Sequence, residues 1–446
     1  MVDYKKYFKG KKITVMGLGL LGRGVGDAAF LAECGAELTV TDLKSSAALK
    51  PSLQKLRKYK NIKYVLGKHR LEDFRNKDMI LKNPDIPIGS VYIKEAKKNK
   101  IPIEMSATLF TKLSGLPILG VTGTRGKSTV THLLVHILRS AGKKVILGGN
   151  VRGVSTLELL RFAKGADLAV LELDSWQLQG FKDHKLSPHI AIFTTFYPDH
   201  MKYYKGSMKQ YFSDKAQIFR YQKKSDLLIA GRQALPLIKK EKIKSKIISP
   251  KDRLPRGWKF HLPGLHNEYN AMLAVEAARA LKIPDKKIKN ALSTFSPLSG
   301  RLEFLRSVKG IKIYNDNSST TPEATIAALR TLGDKKKRKI VLIIGGDKKY
   351  LNMKSLIQEI PKYCSKVVLF KERGTDLIRN EVFKLEKKGT QVYEEDGLKN
   401  TVNRAFKIAT RGEVLLYSPA FSSFGKYFKN EYDRGDQFVK LIKKIK

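Results

Sequence analysis

The segment Gly120-Val-Thr-Gly-Thr-Arg-Gly-Lys-Ser-Thr129 brings small, cationic and hydroxyl-bearing residues together at a spacing suited to a polyphosphate. Glycines let successive backbone N–H groups converge on an anion, and a following helix N-terminus adds its dipole. Lys127 would place a point charge on the outer phosphates, and Ser128 or Thr129 a hydroxyl on Mg²⁺. The usual pattern has a glycine five places before Gly126, where this chain has Val121, with Gly120 and Gly123 close by. Such a turn can be purely structural. Here an apolar run, Leu116 to Val121, precedes it, and Val130, Leu133, Leu134, Ile137 and Leu138 follow at helical spacing. Strand, turn and helix together read as an ATP or GTP phosphate site.

A second glycine turn, Gly17-Leu-Gly19-Leu-Leu-Gly22, follows the strand-like Lys11 to Met16 and opens a helical stretch to Cys34. A further strand, Glu37 to Thr41, ends at Asp42, which is the dinucleotide-binding spacing with an acid placed for a ribose. Alone the pattern is weak, because close helix packing needs the same glycines. Met79 to Leu81 is another short strand and leads into Lys82-Asn83-Pro-Asp-Ile-Pro87, a loop by its prolines.

Three polar groups fall at strand ends, where ligands bind in open α/β sheets. Asn150 follows Gly148-Gly149. Glu172 lies in the apolar run Leu168 to Leu173, where a carboxylate is costly unless paired or metal-bound. His200 follows Tyr197-Pro-Asp199. Strands Val145 to Leu147, Leu168 to Leu173, Ile190 to Thr194 and Leu227 to Ala230, with helices between, imply a mostly parallel sheet. From Arg301 the alternation restarts. Lys312 to Tyr314, Ile340 to Ile344, Val367 to Phe370 and Val414 to Tyr417 read as strands, with a helix from Pro322 to Leu332 and a basic helix from Gln437.

At 446 residues the chain calls for two to three domains. Hydrophobic content of 42% with 9% aromatics suits a folded soluble protein, and no run approaches the ~18 apolar residues of a membrane span. The N-terminus has no apolar signal-peptide core, and Cys34 and Cys364 lack metal-ligand spacing, so a reducing cytoplasm is expected. The 87 Lys+Arg against 41 Asp+Glu, formally +46, invite a nucleic-acid reading. The basic residues are dispersed as pairs such as Lys239-Lys240 and Lys286-Lys287, without an aromatic-laced stripe, so solvated faces account for them better.

Taken in order, these motifs resemble the Mur ligase family, and within it the glutamate-adding type. The likeness runs the length of the chain: Gly123 to Thr129, Gly149-Asn150, Glu172 to Leu178, Asp199-His200-Met201 and Asp214-Lys215. It continues through Pro263 to Asn267 with Asn270, Gly300-Arg301, Asn315-Asp316, Gly345-Gly-Asp347 and Ser418-Pro-Ala420. The resemblance implies an α/β protein of three domains: a Rossmann-like domain over 1–112, a P-loop ATPase-type domain with a mostly parallel sheet over 113–299, and a C-terminal Rossmann-like domain over 300–446. It implies ATP-dependent addition of glutamate, with D-glutamate favoured, to UDP-N-acetylmuramoyl-L-alanine through an acyl-phosphate, in a cytoplasmic monomer needing no nucleic acid.

By the same likeness, Gly123, Thr124, Arg125, Gly126, Lys127, Ser128 and Thr129 would hold the ATP phosphates, Asn267, Asn270 and Arg301 the nucleotide, and Asp316 its ribose. Ser128 and Glu172 would serve one Mg²⁺, and His200 with Lys215, carbamylated on its amine, a second. Gly17, Gly19, Leu20, Gly22, Asp42, Asn83 and Asn150 would bind the UDP substrate. Thr320, either Lys348 or Lys349, Ser423 and Phe424 would grip glutamate. Ser318 stands where D-glutamate-adding members usually carry lysine, and the run Asn315 to Pro322 is also similar to ligases that add L-glutamate. Arg125 and Asp174 replace commoner Asn and Ser. A folylpolyglutamate synthetase lacks the first glycine turn, and a nicotinamide dehydrogenase leaves the phosphate loop without a role. A nucleic-acid-stimulated NTPase rests on net charge alone.

Overall fold

A computed structural model describes residues 2–445, which divide into two compact units. The first takes in the chain to Phe196, then Lys209–Lys251 and Ala271–Ala291; the second takes in Tyr197–Met208, Asp252–Asn270 and the chain from Leu292. Among the described residues no helix is long and apolar enough to cross a membrane.

The first unit contains two parallel sheets. One is ordered β3-β2-β1-β4-β5, from β1 (Lys12–Met16), β2 (Glu37–Asp42), β3 (Ile62–Leu66), β4 (Met79–Lys82) and β5 (Ile103–Glu104). The chain leaves β1 toward β2 and β3, then returns to the other side of β1 for β4. This reversal puts the crevice above the C-terminal end of β1, where open parallel sheets bind ligands. The turn from Gly17 to Gly22 lies there, between β1 and the helix Arg23–Glu33.

The other sheet, β11-β10-β9-β6-β8-β7, is built from β6 (Ile118–Thr122), β7 (Val145–Gly149), β8 (Leu168–Glu172), β9 (Ile190–Phe193), β10 (Leu227–Ala230) and β11 (Lys246–Ile248). β6 and β8 are buried along their whole length, as expected of central parallel strands packed on both faces. The chain order reverses around β6, so the turn from Gly123 to Gly126 occupies the same topological position here as Gly17 to Gly22 in the first sheet.

The second unit has one sheet, β12-β13-β17-β14-β15-β16. β12 (Glu303–Val308) runs antiparallel to β13 (Ile311–Asn315); β14 (Ile340–Ile344), β15 (Cys364–Phe370), β16 (Gln391–Glu395) and β17 (Val414–Tyr417) complete it in parallel. Two apolar clusters cover its faces, one against the helices Pro322–Leu332 and Lys354–Tyr363, the other against Leu398–Ile408 and Glu431–Lys444.

The architecture is α/β with three predominantly parallel sheets, as the alternation of apolar runs and helical patterns requires. The strands that the sequence did not announce are β3, β5, β11, β12 and β16, and each is a sheet edge. Edge strands are short and half-solvated, so polar residues interrupt their apolar signal. The last helix begins at Glu431 rather than Gln437, because the Asn430 side chain caps it by accepting the Asp433 N–H at 2.9 Å.

Candidate active site

The phosphate turn is shaped by two glycines. Gly126 is the N-cap of the helix Lys127–Ser140 with φ 88° and ψ −15°, the left-handed region. At Gly123 (φ +141°), a Cβ would stand 2.0 Å from Thr194 Oγ1, so the end of β9 closes directly on the turn. Thr195 fastens it: its carbonyl accepts from Thr124 N–H at 2.7 Å and its hydroxyl from Arg125 N–H at 2.9 Å. Lys127 Nζ donates to the carbonyls of Gly123 (3.0 Å) and Thr124 (3.3 Å). Lys215 Nζ, on the helix Met208–Arg220 and 1% exposed, donates to the same Gly123 carbonyl at 2.8 Å. Two ammonium groups therefore converge on one turn.

Glu172, 3% exposed, ends β8 opposite Val121 in register, at the level where the turn begins. Asn150 Nδ2 lies 3.4 Å from its Oε1. Gly149 is required beside it, since a Cβ there would come within 2.0 Å of the Glu172 carbonyl. Ser128 is half-buried in the first helical turn, and Thr129 is buried. Among the described residues no three His, Cys, Asp or Glu side chains cluster as a metal site. One buried carboxylate at the end of β8, with the Ser128 hydroxyl in the first turn of the helix that follows the adjacent strand β6, nonetheless suits Mg²⁺, which keeps water and substrate phosphate oxygens as most of its ligands.

The first glycine turn is held differently. Asp42 Oδ2 accepts from Leu18 and Gly19 N–H, both at 2.9 Å, and Oδ1 from Lys44 N–H at 2.8 Å. The carboxylate expected to meet a ribose thus organises the turn's own backbone. Gly17 (φ +92°) packs on Asn83, whose Cβ would lie 3.0 Å from an added methyl. Lys82, which sequence reasoning passed over, is 1% exposed and donates to the carbonyls of Asn83 (3.1 Å), Pro84 (3.1 Å) and Ile86 (2.6 Å). Burial lowers its pKa to about 8. A lysine closing an apolar strand was the available signal. Gly22 (φ 87°) caps the helix Arg23–Glu33, Leu20 is exposed, and Arg23 Nη1 donates to Asn150 Oδ1 at 2.7 Å. One helical turn on, Asp27 accepts from Ser106 (2.8 Å) and Ser155 (2.6 Å) hydroxyls, and burial raises its carboxyl to about 6.

In the second unit Asn267 and Asn270 are buried one turn apart on the helix beginning at Leu265, and Asn267 Nδ2 donates to the Pro263 carbonyl at 2.8 Å. Asp316, expected at a ribose, is buried and raised to about 6 by that burial. Its oxygens accept from Leu302 N–H (3.0 Å) and Ser418 Oγ (2.8 Å), which fixes the turn carrying the half-buried Arg301. Lys349 Nζ donates to Thr320 Oγ1 at 3.0 Å and to Asp199 Oδ1 at 2.8 Å, whereas Lys348 points to solvent. His200 follows Asp199 in a left-handed conformation (φ 55°), its own N–H donating to the Asp199 carboxylate at 2.9 Å. Ser423 is buried and Phe424 exposed. Sequence reasoning missed Arg434, a completely buried guanidinium bonded to Asn317 and Phe421.

Models of the MurD-like N-terminal domain, the Mur ligase middle domain and the Mur ligase glutamate ligase domain match residues 11–104, 121–249 and 300–421. The chain is also 35% identical over 469 residues, covering 97% of itself and 98% of the relative, to the UDP-N-acetylmuramoylalanine--D-glutamate ligase of Roseiflexus sp. (strain RS-1). The chain belongs to the Mur ligase family. A ligase of the same name from Borreliella burgdorferi is 36% identical over 98% of both chains. Among solved structures, UDP-N-acetylmuramate-alanine ligase MurC from Thermotoga maritima superposes with a TM-score of 0.63 at 20% identity, covering 97% of this chain and 99% of that one. MurF ligase from the same organism, in complex with ADP, gives 0.58 at 15% identity over 99% and 96%. These two share the fold. As a Mur ligase, the chain is an amide-forming enzyme, and the three matched segments coincide with the three sheets just described.

Proposed function

We propose that this Mur ligase joins glutamate, in its D form, to UDP-N-acetylmuramoyl-L-alanine at the expense of ATP, in the cytoplasmic assembly of peptidoglycan precursors. The carrying observation is the turn from Gly123 to Lys127, with Lys127 and Lys215 converging on it and Glu172 ending the neighbouring strand. The names of the relatives supply the substrate class.

A carboxylate is a poor electrophile. Transfer of the γ-phosphoryl group to an oxygen of the acceptor's terminal carboxylate releases ADP and converts that oxygen into a leaving group. The glutamate amine then attacks the carbonyl carbon, and the tetrahedral intermediate expels phosphate as the amine loses a proton. The protein's task is positioning and charge neutralisation. Lys127 and the amides of residues 123–129 bear on the phosphates; Asn267, Asn270 and Arg301 bear on the nucleoside. Gly17 to Gly22, Asn83 and Asn150 receive the UDP-sugar, with Asp42 holding the first turn in shape. Thr320, Lys349, Ser423 and Phe424 receive glutamate; Lys349 rather than Lys348 takes this role because it already shares a hydrogen bond with Thr320.

Ser128 and Glu172 are the residues suited to Mg²⁺, and His200 with a carbamylated Lys215 is the set that family likeness adds for a second ion. Bound Mg²⁺ supplies positive charge to the phosphate oxygens as negative charge builds on them. A lysine already buried at the turn suits carbamylation, which would replace an ammonium by an anionic oxygen donor.

The decisive measurement is phosphate release with the UDP-acceptor and either glutamate enantiomer. Turnover with D-glutamate and little with L-glutamate is expected. Preference for the L form would correct the stereochemistry, to which Ser318 is relevant. Silence with both, alongside ATP hydrolysis stimulated by RNA, would overturn the assignment. Lys215→Ala should abolish ligation, with partial recovery in short carboxylic acids that fill the vacated space.

A further inference from the structure

We propose that Arg434 is the positioning residue of the amino-acid site, a buried guanidinium that joins three strand-end loops into one receptor for an acidic amino acid. The proposal rests on the functional reading above and adds a residue and a purpose to it.

Arg434 is 0% exposed, on the helix Glu431–Lys444, whose Phe438 and Ile442 anchor it beneath the sheet. Its planar fork is fully directed. Nε donates to Asn317 Oδ1 at 2.7 Å, Nη2 to the Asn317 carbonyl at 2.9 Å and Nη1 to the Phe421 carbonyl at 3.1 Å. The third loop passes alongside at Gly346 (φ +151°), where a Cβ would come 3.4 Å from Nη1 and only 2.5 Å from the Ser422 carbonyl. The loops after β13, β14 and β17 therefore meet on one side chain. Thr320 lies three residues beyond Asn317, Lys349 three beyond Gly346, and Ser423 two beyond Phe421. Each contact sits just upstream of a residue assigned to glutamate. At the other end, Lys349 Nζ and Thr320 Oγ1 tie two of the same loops together at 3.0 Å.

The site is built around this clamp from both sides. Asn317 Nδ2 donates to the Glu431 carbonyl at 2.7 Å, so the residue that accepts from Arg434 also holds the helix start. Gly435 leaves room for it, since a Cβ there would lie 2.9 Å from Asn317 Nδ2.

The charge is the second feature. All three acceptors are neutral amide oxygens, and no carboxylate accepts a hydrogen bond from Arg434 among the described residues. Burial draws the guanidinium's pKa downward. A buried cation that Glu431 offsets only through space is costly, and an apolar side chain could anchor the helix as well. A rigid, permanently charged fork is the chemistry that fixes carbonyls in a plane and leaves net positive potential above them. That potential favours a substrate with two carboxylates over a neutral amino acid.

The test compares Arg434→Lys, Arg434→Gln and Asn317→Ser with the unaltered enzyme, measuring kcat, the three substrate KM values and the thermal midpoint. Asn317→Ser leaves the helix sequence intact and carries the test should Arg434→Gln fail to fold. The KM for glutamate should rise about tenfold or more in Arg434→Gln and Asn317→Ser, with Arg434→Lys between these and the unaltered enzyme. KM for ATP and for the UDP-acceptor should stay within about twofold. An unchanged glutamate KM, or all three rising together as the midpoint falls, would make Arg434 a helix staple and overturn the proposal. Absence of amide formation in the unaltered enzyme would overturn the functional reading first, and this proposal with it.

Discussion

The two glycine turns of the first unit have almost the same backbone and opposite electrostatics. Gly22 caps its helix at φ 87°, ψ −20°, and Gly126 at φ 88°, ψ −15°; a basic residue, Arg23 or Lys127, follows each. Both turns sit where the strand order of a parallel sheet reverses. In the first, the Asp42 carboxylate accepts two of the turn's N–H groups, and Arg23 is drawn aside to Asn150. In the second, neutral Thr195 oxygens hold the N–H groups, and two lysines point at the carbonyls. Backbone shape is thus common property, while the charge set around it selects the ligand. A turn already carrying an internal anion suits a nucleotide-sugar held partly by shape; one held by neutral oxygens, with the Lys127 ammonium at its helix start, suits a triphosphate.

The sharpest way to break this comparison is to remove the basic residue from each helix start. Lys127→Ala should lower kcat/KM by about 100- to 1000-fold, ~3–4 kcal/mol of lost transition-state stabilisation. Arg23→Ala, at the same helical position, should cost about tenfold or less, because its hydrogen bond acts through Asn150. Equal losses in steady-state phosphate release would erase the distinction. A smaller effect tests the internal anion. Asp42→Asn should weaken the charge-assisted bonds by roughly 1–2 kcal/mol, raising the KM for the UDP-acceptor while leaving that for ATP within about twofold. A matching rise in the ATP KM would show that the two turns are not independent.

The smallest effect concerns the helices that leave the turns. Only the first carries acids in its sequence, and one of them, Asp27, is buried. Its folded pKa of about 6 lies above the reference 3.8. The stability that goes with its neutral form is therefore complete below pH ~3.8 and falls as pH rises to ~6, by up to about 3 kcal/mol. Asp27→Asn has no such ionisation. Its thermal midpoint, relative to the unaltered protein, should be higher at pH 7.5 than at pH 4.5. Asp316 titrates in the same range but is present in both proteins, so it cancels in the difference. A pH-independent difference would show that Asp27 is not strained by burial.

Much of the site was legible because its residue types are costly elsewhere. Glycines at positive φ, a carboxylate inside an apolar strand at Glu172, and Lys-Ser-Thr at a helix start each announce themselves without coordinates. What Asp42 and Asp316 do for the loops was not legible. Spacing placed Asp42, and family likeness Asp316, where a ribose would lie; that both also hold loop backbone was hidden, because which N–H groups converge on a carboxylate depends on strands paired far along the chain. Lys82 showed only as a lysine closing an apolar strand, and Arg434 not at all, for the same reason. In a chain with 87 basic residues, only packing reveals which two are buried in rings of carbonyls.

Local chemistry by itself determined the α/β class, the central strands, both glycine turns and the order of motifs that marks the family, since these follow from backbone preferences and side-chain type within a few residues. Tertiary structure alone decided the sheet edges, the hydrogen bond of Lys349 to Thr320 while Lys348 stays exposed, and the meeting of three loops on one guanidinium. Those outcomes depend on pairing between segments up to 117 residues apart, and no local pattern encodes such a distance.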